Sequence, residues 1–277
     1  MLELFDLKYR FKGTDKTKDF VSALNNIMML RENGKYSNFI ILRKGLEDFL
    51  TYYPTNNLKW KIYDNSKVKC AFHPILKDII CELGNKESDY FKAKYMFFPL
   101  WLQIVEAGGL IAHSSLVVKD GRGILMCGSN SSGKSTCYKR FPEEFEKISD
   151  DWNIIFPCGR DYFVSPWPTW SHFLHKKDEK QRKWNVNRKI RLQSIFFLQK
   201  SQSTELKKPE LGFFYQAFIE MHKELLHFDI KHLSVPDKRK FFSNIFENSW
   251  NLNRKVSSYS LKISLKEDFT ELMKEVI

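Results

Sequence analysis

The stretch Ile124-Leu125-Met126-Cys127-Gly128-Ser129-Asn130-Ser131-Ser132-Gly133-Lys134-Ser135-Thr136 decides how this chain is read. From Gly128 to Ser135 it fits G-x-x-x-x-G-K-[ST] at every fixed position, directly after an apolar run. The flanking glycines let the backbone wrap tightly, so that successive N–H groups face phosphate oxygens. The lysine reaches the β- and γ-phosphates, and the following hydroxyl ligates magnesium. A helix opening at Lys134 aims its positive end at the same anion. Gly128, Ser129, Asn130, Ser131, Ser132, Gly133, Lys134, Ser135 and Thr136 are therefore the candidate nucleotide-binding residues, for ATP or GTP with Mg2+.

Upstream, Leu110–Val118 and Gly123–Cys127 read as strands, separated only by Lys119-Asp120-Gly121-Arg122. A parallel crossover needs a dozen residues or more, so these two strands must pair as an antiparallel hairpin. Downstream, a helix from Lys134 to Phe141 and the short segment Ile148–Ser149 lead to Asp150 and Asp151. That interval holds one helix, one connection and one strand, which returns both carboxylates to the loop. One of them can hold magnesium, directly or through water; Ser135 and Asp151 are the candidate metal ligands. The other can accept the proton of an attacking hydroxyl. Without the loop upstream, an Asp-Asp pair would read as a surface turn. His113 opens the first strand of the hairpin, where it can orient the base; alone it would read as a structural histidine.

The rest of the chain is organised less sharply. Leu2–Phe11 alternates as one strand, Asp19–Arg31 has a helical apolar pattern, and Asn38–Leu42 is β-rich. Leu58–Tyr63 and Lys67–Phe72 flank the turn signal Asp64-Asn65-Ser66, and Pro74–Leu83 and Ser88–Ala107 read as helices ending before glycines. These make residues 1–92 a small α+β domain without a catalytic constellation, a candidate for substrate or leader-peptide binding. Residues 93–277 form the nucleotide-binding domain. Within it Trp152–Phe156 and Asp161–Ser165 read as a hairpin and Leu192–Leu198 as an apolar strand. Leu211–His227 and Lys238–Trp250 read as helices, Ser257–Ile263 as a late strand and Glu267–Val276 as a last helix.

Composition bounds the partners. With 277 residues, 43% apolar and 28% charged, the chain has ample core for one large or two small domains. A net charge of +12 favours anionic ligands, or serves solubility alone. Five cysteines without a C-x-x-C pair read as buried thiols rather than disulfides or zinc ligands. Charges at Glu3, Asp6, Lys8 and Arg10 break any signal-peptide core, and Gln103 and Glu106 interrupt the apolar run Tyr95–Ala112, so the expected compartment is the cytoplasm and no membrane partner is expected. No nucleic-acid recognition motif is present. The basic stretch Lys176–Arg191 reads either as a solvated loop or as one closing over nucleotide; in the second case Arg188 or Arg191 steadies the transferring phosphate. His172, His175 and Asp178 read as unrelated loop residues, since no second ligand group follows at metal spacing.

The run from His113 through Thr136, followed by Ile148-Ser149-Asp150-Asp151, resembles the bacterial HPr kinase/phosphorylase family, whose nucleotide-binding core is shared with phosphoenolpyruvate carboxykinase. The approach Gly108–His113, the Asp150-Asp151-Trp152 step, Pro166–Trp170 and Arg191–Leu198 are more similar to HPr-kinase-like proteins of the SynChlorMet and lasso-peptide cassettes. The likeness covers about residues 95–200 and lacks the glycine-rich C-terminal signature of true HPr kinases. It implies a mixed-sheet α/β fold with that core, and phosphate and magnesium on Lys134 and Ser135. It also implies base and metal ligand from Asp150 and Asp151, with His113 in support. The acceptor implied is a serine or threonine of a precursor peptide, with partner modification enzymes. A homo-oligomer is compatible with all of this. Two other readings stay open: a kinase for a small hydroxylated molecule such as free serine, and a nucleotide-responsive binding module with little chemistry.

Overall fold

The structure, a computed structural model, describes all residues except 5–6, 15, 31–35, 54–58, 65–67, 85–88, 130, 170–182, 227–229 and 265. It is a mixed α/β protein with two mixed sheets. Chain contacts divide it into two compact units. The first comprises Met1–Ile104, Trp170–Asn187 and Leu226–Lys238; the second comprises Val105–Thr169, Arg188–Leu225 and Arg239–Ile277. The boundary expected at 92/93 thus falls inside the first unit, which also takes two later segments.

In the first unit, β1 (Leu2–Leu4), β2 (Leu7–Gly13), β3 (Ser37–Leu42), β6 (Ile79–Glu82), β5 (Lys69–Phe72) and β4 (Lys61–Asp64) lie in that order in one sheet. Strands β2, β3 and β6 run parallel, and the outer pairings are antiparallel. The crossover between β2 and β3 contains α1 (Lys18–Ile27), which buries Phe20, Val21, Leu24 and Ile27, the stripe its sequence spacing dictates. α2 (Leu46–Thr51) follows β3, and β6 leads to α3 (Asp89–Met96) and α4 (Phe98–Glu106).

Three expectations are corrected here. Leu2–Phe11 is not one strand but a tight antiparallel pair, Leu4 opposite Leu7. Pro74–Leu83 is not a helix. His73 Nδ1 accepts the N–H groups of Ile75 and Leu76, as a helix cap would, but Lys77 at φ 62° turns the chain out and Ile79-Ile80-Cys81 becomes a buried strand. A short apolar run of this kind has no period to tell strand from helix. The helix expected to run on to Ala107 breaks at Phe97, because the restart at Phe98 puts Pro99 in a first turn, where its missing N–H is harmless.

In the second unit the order is β11 (Asp161–Trp167), β10 (Trp152–Cys158), β7 (Leu110–Lys119), β8 (Arg122–Cys127), β12 (Ile190–Lys200), β14 (Ser257–Ile263) and β13 (Glu205–Lys207), with β9 (Glu146–Ser149) on β7. Because β11 also pairs with β12, the five strands from β11 to β12 close on themselves. Strands β8, β12 and β14 are parallel; β7 and β8 form the expected antiparallel hairpin, Lys119 opposite Arg122. β7 is buried along nearly its whole length, so both its faces are covered. The helices are α5 (Lys134–Arg140), α6 (Leu211–Leu225), α7 (Val235–Asn253), which enters this unit from Arg239 onward, and α8 (Thr270–Lys274), the last shorter than expected. Cys137 and Phe141 seat α5 on a core with Val117, Ile124, Met126 and Phe196. Cys158 is exposed, unlike the other four cysteines, which are buried as expected. Among the described residues no helix is long and apolar enough to cross a membrane.

Candidate active site

Strand β8 ends at Cys127 and α5 begins at Lys134, so the intervening loop is held at both ends by core. Within it Ser131 has φ 63° and Gly133 has φ 103°. Alternation of this kind turns successive N–H groups to one side. Gly128 has no room for a side chain: a Cβ there would lie 2.3 Å from Ser132 Oγ. Ser132 Oγ is buried and has no hydrogen-bond partner among the described residues. Ser129, Ser131, Ser135 and Thr136 are exposed, and Asn130 lies outside the described residues. Lys134 is 6% exposed and donates through Nζ to the carbonyls of Gly128 and Ser129, at 2.7 and 2.8 Å. Burial lowers its pKa from the usual lysine value, opposed by the neighbouring acidic groups of Cys127, Asp151 and Glu224. These last two carboxylates thus act on the lysine through space.

Strand register brings His113 to this place. It pairs with Trp152 across β7–β10, and the two rings stack at 4.8 Å. The Ser114 N–H donates to the Asp151 carbonyl, which draws the Asp150–Asp151 turn against β7. Asn153 tightens the turn. It donates to the carbonyl and hydroxyl of Ser114, and its Oδ1 accepts from Ser149, at 2.7, 3.0 and 2.5 Å. His113 Nε2 lies 3.1 Å from Asp151 Oδ1. Asp150 diverges from its neighbour: its Oδ1 accepts from the Thr169 hydroxyl at 3.2 Å. His113, Lys134 and Asp151 are therefore brought together, and the two aspartates are given different surroundings.

Sequence reasoning missed Glu224. Its Oε2 lies 3.6 Å from His113 Nδ1, a charge-pair distance rather than a hydrogen bond, and Nδ1 has no hydrogen-bond partner among the described residues. The signal was available as Gln216, Glu220 and Glu224, spaced by four along one face of α6. His222 pins that helix: its Nε2 accepts the Ile111 N–H at 3.2 Å and its Nδ1 donates to the Phe218 carbonyl at 2.8 Å. Burial lowers the His222 pKa to about 4, so it is a neutral strut between α6 and β7.

The nominated arginines are not brought to this place. Arg188 makes a double contact with Glu146, both at 2.6 Å, and Arg191 pairs with Asp161 at 2.8 Å. Arg191 sits opposite Arg122, at the far end of β8 from the loop. The span from Arg122 to Cys127 is roughly 16 Å at about 3.3 Å per residue. Of the basic stretch, residues 176–182 lie outside the described residues, as do His172, His175 and Asp178. Among the described residues no group of three or more His, Cys, Asp or Glu could hold a metal by itself.

Two cavities flank the loop. One, of about 290 Å³, is lined by Ser132, Gly133, Thr136, Arg140 and Lys200 among others. The other, of about 300 Å³, runs from Gly128 and Ser129 along α6.

Compared with known proteins, residues 79–277 match the model of a family described as SynChlorMet cassette protein ScmC. No curated protein matches the chain.

Proposed function

The chain belongs to the SynChlorMet cassette protein ScmC family, and on that premise we propose that it is a magnesium-dependent ATP (or GTP) phosphotransferase with an HPr-kinase-like phosphate loop, acting on a serine or threonine hydroxyl of a peptide. The observation that carries the proposal is the meeting of Lys134, inside the loop, with the His113–Asp151 pair brought in by β7 and β10. The fit of a nucleotide phosphate rests on the loop itself. Gly128 leaves the cradle open, Ser131 and Gly133 turn the backbone, and Ser132 Oγ is buried without a partner among the described residues. Magnesium keeps most of its waters and asks for one or two protein ligands. The exposed Ser135 hydroxyl with a carboxylate of the Asp150–Asp151 pair would hold it. When bound, the ion neutralises charge on the β- and γ-phosphates.

The protein groups then have separate tasks. Lys134 steadies negative charge as the phosphoryl group moves. Asp151 orients the acceptor hydroxyl and takes its proton, and His113 fixes the Asp151 carboxylate through Nε2. Asp150, tied to Thr169 through Oδ1, holds the turn and is the carboxylate that would face magnesium. The family description speaks of a cassette, which fits partners encoded alongside; the peptide acceptor and the modification enzymes belong to the proposal.

The test is transfer of label from γ-labelled ATP with magnesium to serine-containing peptides and to free serine, with Lys134→Ala alongside. Label on a peptide that vanishes in the variant supports the proposal. Label on free serine alone replaces the peptide by a small molecule. Tight ATP binding without transfer to any acceptor refutes the kinase reading.

A further inference from the structure

The two cavities beside the loop differ in charge, and that difference separates the two substrates of the proposed reaction. The cavity on the Ser132–Thr136 side carries Arg140 and Lys200 and has no acidic residue among its lining. The cavity on the Gly128–Ser129 side has no basic lining residue; Glu220 and Glu224 face it from α6, with Gln216 one turn earlier on the same face. Phe197, Phe213 and Met221 supply its apolar wall. A polyphosphate is repelled by the acidic cavity and drawn to the basic one. Lys134 serves the terminal phosphates, and the acidic cavity begins at the first two residues of the same loop, Gly128 and Ser129.

A second observation ties this cavity to the reacting groups. Glu224 lines it and also faces His113 Nδ1, a nitrogen that is buried and has no hydrogen-bond partner among the described residues. Glu224 is thus shared between the cavity lining and the surroundings of His113. Glu220 is half exposed and contacts Lys223 at 2.8 Å, a surface pairing too weak to hold it against a better partner.

We propose that the cavity between the loop and α6 is the acceptor subsite, and that it selects a peptide in which the reacting serine or threonine adjoins a lysine or arginine. The long side chain of such a residue matches both walls, its methylenes on Phe213 and Met221 and its charged head on Glu220. In the transfer that follows, the acceptor oxygen forms a bond to the γ-phosphorus. The bond from that phosphorus to the β–γ bridging oxygen breaks, the hydroxyl proton passes to Asp151, and the nucleoside diphosphate leaves. The inference rests on the proposed phosphotransferase reading.

The experiment uses the full chain and three labelled serine peptides that differ only in the flanking residue: lysine, glutamine or glutamate. Binding is measured by fluorescence anisotropy with and without ATP, and label transfer is measured separately. The lysine peptide is expected to bind about tenfold or more tighter than the glutamate peptide. Glu220→Lys should remove that preference without weakening ATP binding, since it takes negative charge away from the polyphosphate. Equal binding of the three peptides, or no binding of any up to about 1 mM, overturns the inference. So does a Glu220→Lys variant that weakens ATP instead, which would assign the cavity to the nucleoside. Discrimination without transfer would refute the kinase reading and keep the cavity's selectivity. Transfer without discrimination would do the reverse.

Discussion

The two ends of β8 carry similar side chains under opposite conditions. At the Arg122 end, Arg188 and Arg191 meet Glu146 and Asp161 in exposed, fully matched pairs. The pairing lowers the Glu146 carboxyl pKa and raises that of Arg188. At the Cys127 end, Lys134 is buried on backbone carbonyls, and a buried histidine stands between the carboxylates of Asp151 and Glu224. Matched surface pairs contribute little and ask for nothing further. Partly buried charged groups held near one another without one-to-one matching are where ligand chemistry is expected. The number of arginines in a segment said nothing of this; burial and partnering did.

The comparison breaks most visibly at Lys134. Lys134→Ala should lower label transfer by about 10³-fold or to background, as loss of a charge-stabilising donor does; retained transfer would remove the loop from the mechanism. Next comes Asp151→Asn, expected to reduce transfer by about 10²–10⁴-fold, the usual contribution of a positioned base. Asp150→Asn should act less, through the turn it holds to Thr169. Full activity in both variants would rule out proton transfer by this pair.

A stability measurement sharpens the same contrast. His222 titrates near 4 in the fold and near 6.5 when unfolded. The folded form therefore favours the neutral ring, and its contribution is complete above about pH 6.5 and lost as pH falls toward 4. The loss should reach about 3 kcal/mol, read as a falling urea midpoint between about pH 7 and about pH 4.5. His222→Gln should flatten that slope; an unchanged slope would show that α6 is not anchored in this way. The smallest effect is expected at the other end of β8. Arg188→Ala and Arg191→Ala should each change stability by about 1 kcal/mol or less and leave transfer at the wild-type rate. A large loss of activity in either would put an arginine back at the phosphate.

How far the sequence could be read depended on how local each feature was. The β7–β8 hairpin was legible because four turn residues permit no other pairing. Strand β14 was found at its full extent, Ser257–Ile263. The β10–β11 hairpin was equally plain, Cys158 pairing with Asp161 across the turn. Pro74–Leu83 failed because its apolar residues carry no period, and the deciding residue, Lys77 at φ 62°, is one whose type does not announce that conformation. Asn153 was overlooked because its three hydrogen bonds reach two other strands, Ser114 on β7 and Ser149 on β9. The site was legible in part for the same reason. Gly128–Ser135 is contiguous, and its spacing suggests the proposed chemistry; Glu224 lies ninety residues further on and declares nothing alone.

The sequence by itself determined the loop, the strand before it, the helix after it and the nearness of an Asp-Asp turn, because backbone geometry and short connections leave few choices over such distances. Only the tertiary structure decided which aspartate faces His113, that Glu224 stands behind the same ring, and that Arg188 and Arg191 are committed elsewhere. Those outcomes follow from strand register and from the anchoring of α6 on β7 by His222. A shift of one residue in register turns a side chain to the other face of its strand, so composition and spacing alone could not have settled them.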